Sequence, residues 1–106
     1  MVSVADIIRN LVRNGKVLYG ADQARKILEK GEEVKLIIMA KNCPKEKREK
    51  IEKLAGERKV PIYYYNDTAE NLGILCGKPF VVTTLTVVDN GPVNISELLK
   101  EARTYG

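Results

Sequence analysis

The sequence predicts an α/β protein: a three-layer α/β/α sandwich built on a four-stranded mixed sheet. Two observations lead there. Along the 106 residues, stretches with apolar positions at helical spacing alternate with short β-branched runs. Such alternation lays helices on both faces of one sheet. The run Val34 to Ala40 (Val-Lys-Leu-Ile-Ile-Met-Ala) is apolar but for one Lys, as a central strand covered on both faces is. The intervals between strands are long enough for helical crossovers. The last strand is free to pair in either direction, so a mixed sheet is expected. The length fits one domain, residues 1–106.

The first helix carries Val4, Ile7, Ile8, Leu11 and Val12 as one apolar stripe. Ser3 is its N-cap, Asp6 suits its first turn, and Asn14-Gly15 stops it. Lys16 to Tyr19 is a short strand, broken by Gly20. A second helix starts near Ala21, buries Ala24, Ile27 and Leu28, and ends at Lys30-Gly31. After the Val34–Ala40 strand, Lys41-Asn42-Cys43 is a loop. Pro44 then takes the first position of a charged helix, Lys45 to Lys59, with Asn42 or Cys43 as its cap. Its inner face is Ile51, Leu54, Ala55 and Arg58. Val60 to Tyr65 is the third strand, and Pro61 marks a strand entry or a sheet edge.

The most informative stretch comes next. A short helix, capped by Asp67 or Thr68, carries Leu72 and Leu75. Gly77 supplies its left-handed end, and Pro79 cannot continue it. Val81 to Val88 is β-branched at all but one position and reads as a long strand. Phe80, the only Phe, falls in the turn close to Lys78. A ring near a cation at a loop tip suits a flat ligand such as a nucleobase; packing into the core is the alternative. Asp89-Asn90-Gly91 is a turn, and Asn94 caps a final helix with Ile95, Leu98, Leu99 and Ala102 inward. Four strands and five helices result.

Composition narrows the function classes. Eighteen Lys and Arg against 14 Asp and Glu leave a net charge of +4, which is compatible with a polyanionic partner. No apolar run approaches the roughly 20 residues of a membrane span. Asp6, Arg9 and Arg13 interrupt any signal-peptide pattern, so a cytoplasmic protein with no membrane partner is expected. Cys43 and Cys76 form no CxxC pair, and the chain has no His. That removes zinc-site spacing and the commonest general base, and no metal or cofactor is expected. Abundant Lys and Glu with a single Gln suit a thermophile. An enzyme would have to use Cys43, its thiol activated at a helix N-terminus, without a His base to help it.

Loops that leave strands and open helices gather at one end of such a sheet. Here they are Gly20-Ala21-Asp22-Gln23 and Asn42-Cys43-Pro44, with Gly77 to Val82 expected beside them. The helix starts offer unpaired N–H groups to phosphates. The amides of Gln23 and Asn42 suit base edges, and Phe80 with the valines forms an apolar seat for an unstacked base. Lys16, Lys26, Lys41, Lys47, Arg48 and Lys78 supply salt-dependent attraction. Each has a plainer role open to it: Asn42 as a helix cap, Gly20 as a turn, Lys47 and Arg48 as a solvated face. Only their combination points to RNA.

On these residues the chain resembles the archaeal and eukaryotic L-thirty-e family of large-subunit ribosomal proteins, part of the wider L-seven-Ae group of kink-turn RNA binders. The matching pieces are Gly15-Lys16-Val17 with Gly20, Lys35-Leu36-Ile37-Ile38, Asn42-Cys43-Pro44, Leu72-Gly73, Cys76-Gly77-Lys78-Pro79-Phe80, and Val87-Val88-Asp89 with Gly91. The resemblance implies the same sandwich, a structural role in the large subunit without enzymatic activity, and ribosomal RNA as partner. It also implies neighbouring ribosomal proteins, a monomer when free, and a cytoplasmic place on the ribosome. It puts Gly20, Ala21, Asp22, Gln23 and Lys26 against kinked RNA backbone. It puts Asn42, beside Cys43, on a base edge and brings Lys47 and Lys78 to RNA. Phe80 would pack on an extruded or sheared base, with Val82 nearby. Asp22 departs from the pattern, because relatives commonly carry Lys, Arg or Asn there. The Asn-Glu pair of L-seven-Ae proteins is replaced by Asp22-Gln23, which counts against the alternative of a kink-turn binder outside the ribosome.

Overall fold

A computed structural model describes residues 3–105. The elements follow in the order α1 (Val4–Asn14), β1 (Lys16–Tyr19), α2 (Ala21–Lys30), β2 (Leu36–Ala40), α3 (Lys45–Arg58), β3 (Ile62–Tyr65), α4 (Ala69–Leu75), β4 (Thr84–Asp89) and α5 (Ser96–Glu101). The sheet order is β1-β4-β2-β3. β2 and β3 run parallel, and β4 runs antiparallel to both β1 and β2. The mixed sheet follows from β4 alone, which enters from the opposite end.

All five residues of β2 are buried, because successive side chains feed opposite cores. Leu36, Ile38 and Ala40 join Ile7, Ile8, Leu11, Leu72 and Leu98 from α1, α4 and α5. Ile37 and Met39 join Ala24, Ile27, Leu28, Ile51 and Ala55 from α2 and α3. Three helices therefore cover one face and two the other, which gives the expected three layers. Ser3 caps α1 by accepting a hydrogen bond from the Asp6 N–H at 3.1 Å. Thr68 does the same for α4, accepting from the Asn71 N–H at 3.2 Å. Pro61 precedes the edge strand β3, where its missing N–H costs no ladder bond.

Several details differ from the sequence expectations: β2 begins at Leu36 rather than Val34, β3 at Ile62 rather than Val60, and the cap position of α5 is Ile95 rather than Asn94. β4 begins at Thr84 rather than Val81. Residues 80–83 instead cross over α4: the Val82 N–H donates to the Ala69 carbonyl at 3.0 Å, and Val82 is fully buried. Asn42 does not cap α3. The residue at the cap position is Pro44, with no side-chain bond to the helix start. Leu99 is 42% exposed, because α5 is too short to bury more than the Leu98 side of its stripe. Arg58 is exposed as a residue, although its Nε reaches the Leu28 carbonyl at 3.2 Å and so ties α3 to the end of α2.

Candidate nucleic-acid interface

β1, β2 and β3 all point one way, so their C-terminal ends lie at the same end of the sheet as the start of β4. The loops after β1 and β2 and the segment before β4 meet there. The Gly20 N–H donates to the Thr84 carbonyl at 2.8 Å, and the Ala40 N–H donates to the Thr83 carbonyl at 2.9 Å. Cys43 Sγ lies 3.9 Å from Thr84 Oγ1. Three segments distant in sequence thus form one surface.

Its apolar part is set by the end of α4. Gly77 has φ 72°, a left-handed conformation that terminates the helix and turns the chain back. The Lys78 N–H then donates to the Gly73 carbonyl at 3.0 Å. A Cβ on Gly73 would run into the Phe80 carbonyl oxygen, so a glycine lets this segment lie directly on α4. Phe80 remains 51% exposed. Its ring meets Tyr19 edge to face, with centroids 6.0 Å apart. Lys78 Nζ sits 5.0 Å from the Tyr19 ring centroid, within cation–π range. Tyr19 at the end of β1 therefore braces both Phe80 and Lys78. Val81, next to Phe80, is 56% exposed and extends its apolar surface, and Ile74 on α4 is 72% exposed. Sequence reasoning missed Tyr19 and Ile74. Tyr19 reads as the last residue of a strand before Gly20, and Ile74 sits between Leu72 and Leu75 on a short helix with nothing in the pattern to mark it.

The polar part comes from two helix starts. α2 begins after Gly20 (φ 94°) with no side-chain cap, so the first-turn N–H groups at Ala21, Asp22 and Gln23 carry the positive end of the helix dipole uncapped. Asp22, Gln23 and Lys26 are exposed on this helix, whereas the Ala21 side chain is buried. α3 begins beyond Pro44, also uncapped. Lys47 lines a crevice with Ala21, Arg25 and Lys50 and so stands beside the start of α2. Arg48, one residue on, turns about 100° around the helix and faces the β3 side instead.

Asn42 is exposed, but its amide already has work. Oδ1 accepts from the Ala69 N–H at 2.7 Å, and Nδ2 donates to Glu70 Oε1 at 3.2 Å. The second amide N–H is left to donate outward. Nearby, Asp67 accepts from the Asn71 amide and the Thr68 N–H, and these bonds hold its carboxyl below the usual range.

Cys43 and Val82 lie within the surface, but both side chains are buried. They shape its floor and cannot touch a ligand directly. Burial pushes the Cys43 thiol up, although Thr84 and the nearby Arg48 and Lys47 partly oppose this. This is the opposite of the activation expected of a nucleophile at a helix start. Burial likewise raises Cys76 to about 11. Lys16 lies at the far end of the sheet, registered with Asp89, and takes no part in this surface. Among the described residues, no cluster of His, Cys, Asp and Glu has the arrangement of a metal site. No described helix is long and apolar enough to cross a membrane.

An α/β/α sandwich carrying a loop surface with basic, amide and aromatic groups at one end of the sheet has the makings of a nucleic-acid-binding module. The chain belongs to the ribosomal protein L7Ae/L30e/S12e/Gadd45 family, whose pattern matches residues 3–97. It is 39% identical to the large ribosomal subunit protein eL30 of Methanopyrus kandleri, over 93% of this chain and 90% of that one. It is 38% identical to the eL30 of Methanocaldococcus jannaschii, over 94% and 90%. Among solved structures, a protein of unknown function from Bacillus halodurans superposes with a TM-score of 0.70 at 21% identity. The match covers 80% of this chain and 83% of that one, and it supports the fold alone.

Proposed function

We propose that this protein is a structural constituent of the large ribosomal subunit, binding ribosomal RNA at a kink-turn-like internal loop. The observation that carries the proposal is the convergence of three loops at one end of the sheet, in a chain whose relatives are large-subunit proteins. Residues 1–106 act as one RNA-binding domain. Gly20, whose own N–H is bonded to Thr84, lets the RNA backbone approach, and the uncapped N–H groups at Ala21, Asp22 and Gln23 with the side chain of Lys26 meet it. Asn42 donates to a base edge, Lys47 and Lys78 hold phosphates, and Phe80 stacks on an unpaired base. Cys43 and Val82 position these groups from beneath.

A structural rather than catalytic role fits this chain: burial raises the pKa of both thiols, and with no His in the chain neither has the commonest base to activate it. It is a monomer when free and sits in the cytoplasm on the ribosome, beside other ribosomal proteins. Sedimentation of tagged protein from its own cells tests the assignment. Co-migration with large subunits and recovery of large-subunit RNA are expected. Recovery with a small guide-RNA particle would replace the ribosomal role with one outside it.

A further inference from the structure

A second candidate site lies around the corner from the loop surface, along the outer edge of β3. There the C-terminal segment covers only the first part of the sheet edge. Ile62 and Arg103 exchange both backbone hydrogen bonds, at 2.7 and 2.8 Å. Beyond that pair the chain swings away, and Tyr105 packs against α3 at Gly56, where a Cβ would lie 3.0 Å from Tyr105. The space left open is a groove of about 670 Å³, within the size range of small-ligand sites.

The lining of this groove is selective. Lys41, Arg48 and Arg103 face it, and among the described residues none of the three is paired with a carboxylate. Two carboxylates also line it, Glu52 and Glu101. Glu52 is already engaged by two phenols: Tyr64 Oη bonds to it, and Tyr105 Oη lies 3.4 Å from it. The two phenol oxygens are 2.6 Å apart. Burial and these bonds hold Tyr64 well above its ordinary value, so its hydroxyl stays neutral and adds no negative charge. What remains is a net positive groove with aromatic walls. Its mouth adjoins the loop surface, because Lys41 directly precedes Asn42.

We propose that this groove binds a single-stranded stretch of RNA, holding a phosphate between Lys41, Arg48 and Arg103 and a base against the tyrosines. Cations that neutralise phosphates beside aromatic faces that accept any base are the ingredients of single-strand binding. A strand leaving the loop surface has to turn only past Lys41 to enter the groove. The class of ligand rests on the RNA-binding function proposed above; the location does not.

The test is a titration of the full, isotope-labelled chain with a single-stranded tetrauridylate, followed by backbone amide shifts. Saturable shifts at Tyr64, Arg103 and Tyr105 are expected. Arg103→Glu, whose side chain makes no hydrogen bond among the described residues, should weaken binding about tenfold or more while the rest of the spectrum stays native. Shifts confined to residues 20–23, 42 and 78–81 would overturn the proposal, as would an acidic tetrapeptide shifting the groove where the oligonucleotide does not. A kink-turn RNA titrated into the same wild-type chain reports separately on the loop surface. Groove shifts with no kink-turn binding would sink the proposed function and leave the groove standing; the reverse would do the opposite.

Discussion

Phe80 shows how exposure decides between two roles that the sequence leaves open. A lone ring in a turn is equally suited to a core or to a base. At 51% exposure, touching Tyr19 by its edge, it contributes little to the core. Phe80→Ala should therefore change stability by less than about 1 kcal/mol and weaken RNA binding by about 1–3 kcal/mol. A thermal melt and a calorimetric titration on the one variant check both numbers. A stability loss of about 3–5 kcal/mol would mark a core residue instead. Asp22 raises the opposite question. Exposed in the first turn of α2, its carboxylate favours the helix dipole by about 0.3–1 kcal/mol yet faces the proposed phosphate path. Asp22→Asn should cost about that much stability and tighten RNA binding, with the gain shrinking as salt rises. Weaker binding by the variant at low and high salt alike would make Asp22 a base-reading residue. Asn42 carries its own lesson. An Asn two residues before a helix-opening Pro reads as a cap, but the side chain reaches across to Ala69 and Glu70 at the start of α4. That partner is 27 residues away in sequence, and no local pattern announces it.

At the scale of elements, α4 and the chain folded over it are the decisive unit. The helix was legible from Thr68, Leu72 and Gly77, and its left-handed end is where the glycine stands. The β-branched pattern starts the following strand three residues too early, at Val81 rather than Thr84. β-branched residues favour extended backbone, but Val81 to Thr83 spend that preference crossing α4 before the sheet pairing begins at Thr84. Gly73 makes the crossing possible. Gly73→Ala would push its Cβ into the Phe80 carbonyl, a backbone atom with no rotamer to escape into. Overpacking of this kind costs about 1–3 kcal/mol. The variant should lose that stability and, because the segment bearing Phe80 must move, lose RNA affinity as well. Denaturant unfolding and RNA titration check the two effects. Unchanged affinity in a destabilised variant would mean that the crossing does not position Phe80.

Over the whole molecule, the layers and the sheet were legible because alternation of two periodicities admits few architectures. The direction of β4 was not, because nothing in its sequence distinguishes parallel from antiparallel pairing. That direction matters most for function. Entering from the far end, β4 places the segment bearing Phe80 beside the loops after β1 and β2. Lys16 opens β1 and so lies at the opposite end, which makes net charge alone a poor guide to which cations share the surface. The groove beside β3 depends on how the C-terminal segment leaves Arg103, and the pattern of the sequence is silent on that. The central claim is that this loop surface recognises kinked RNA. It is tested most directly by comparing a kink-turn RNA with a plain duplex of equal length, titrated across a salt series. The kink-turn RNA should bind more tightly at every salt concentration. If Lys26, Lys47 and Lys78 each neutralise one phosphate, log affinity should fall against log salt with a slope of about −2 to −3. Equal affinity for the two RNAs would contradict the claim.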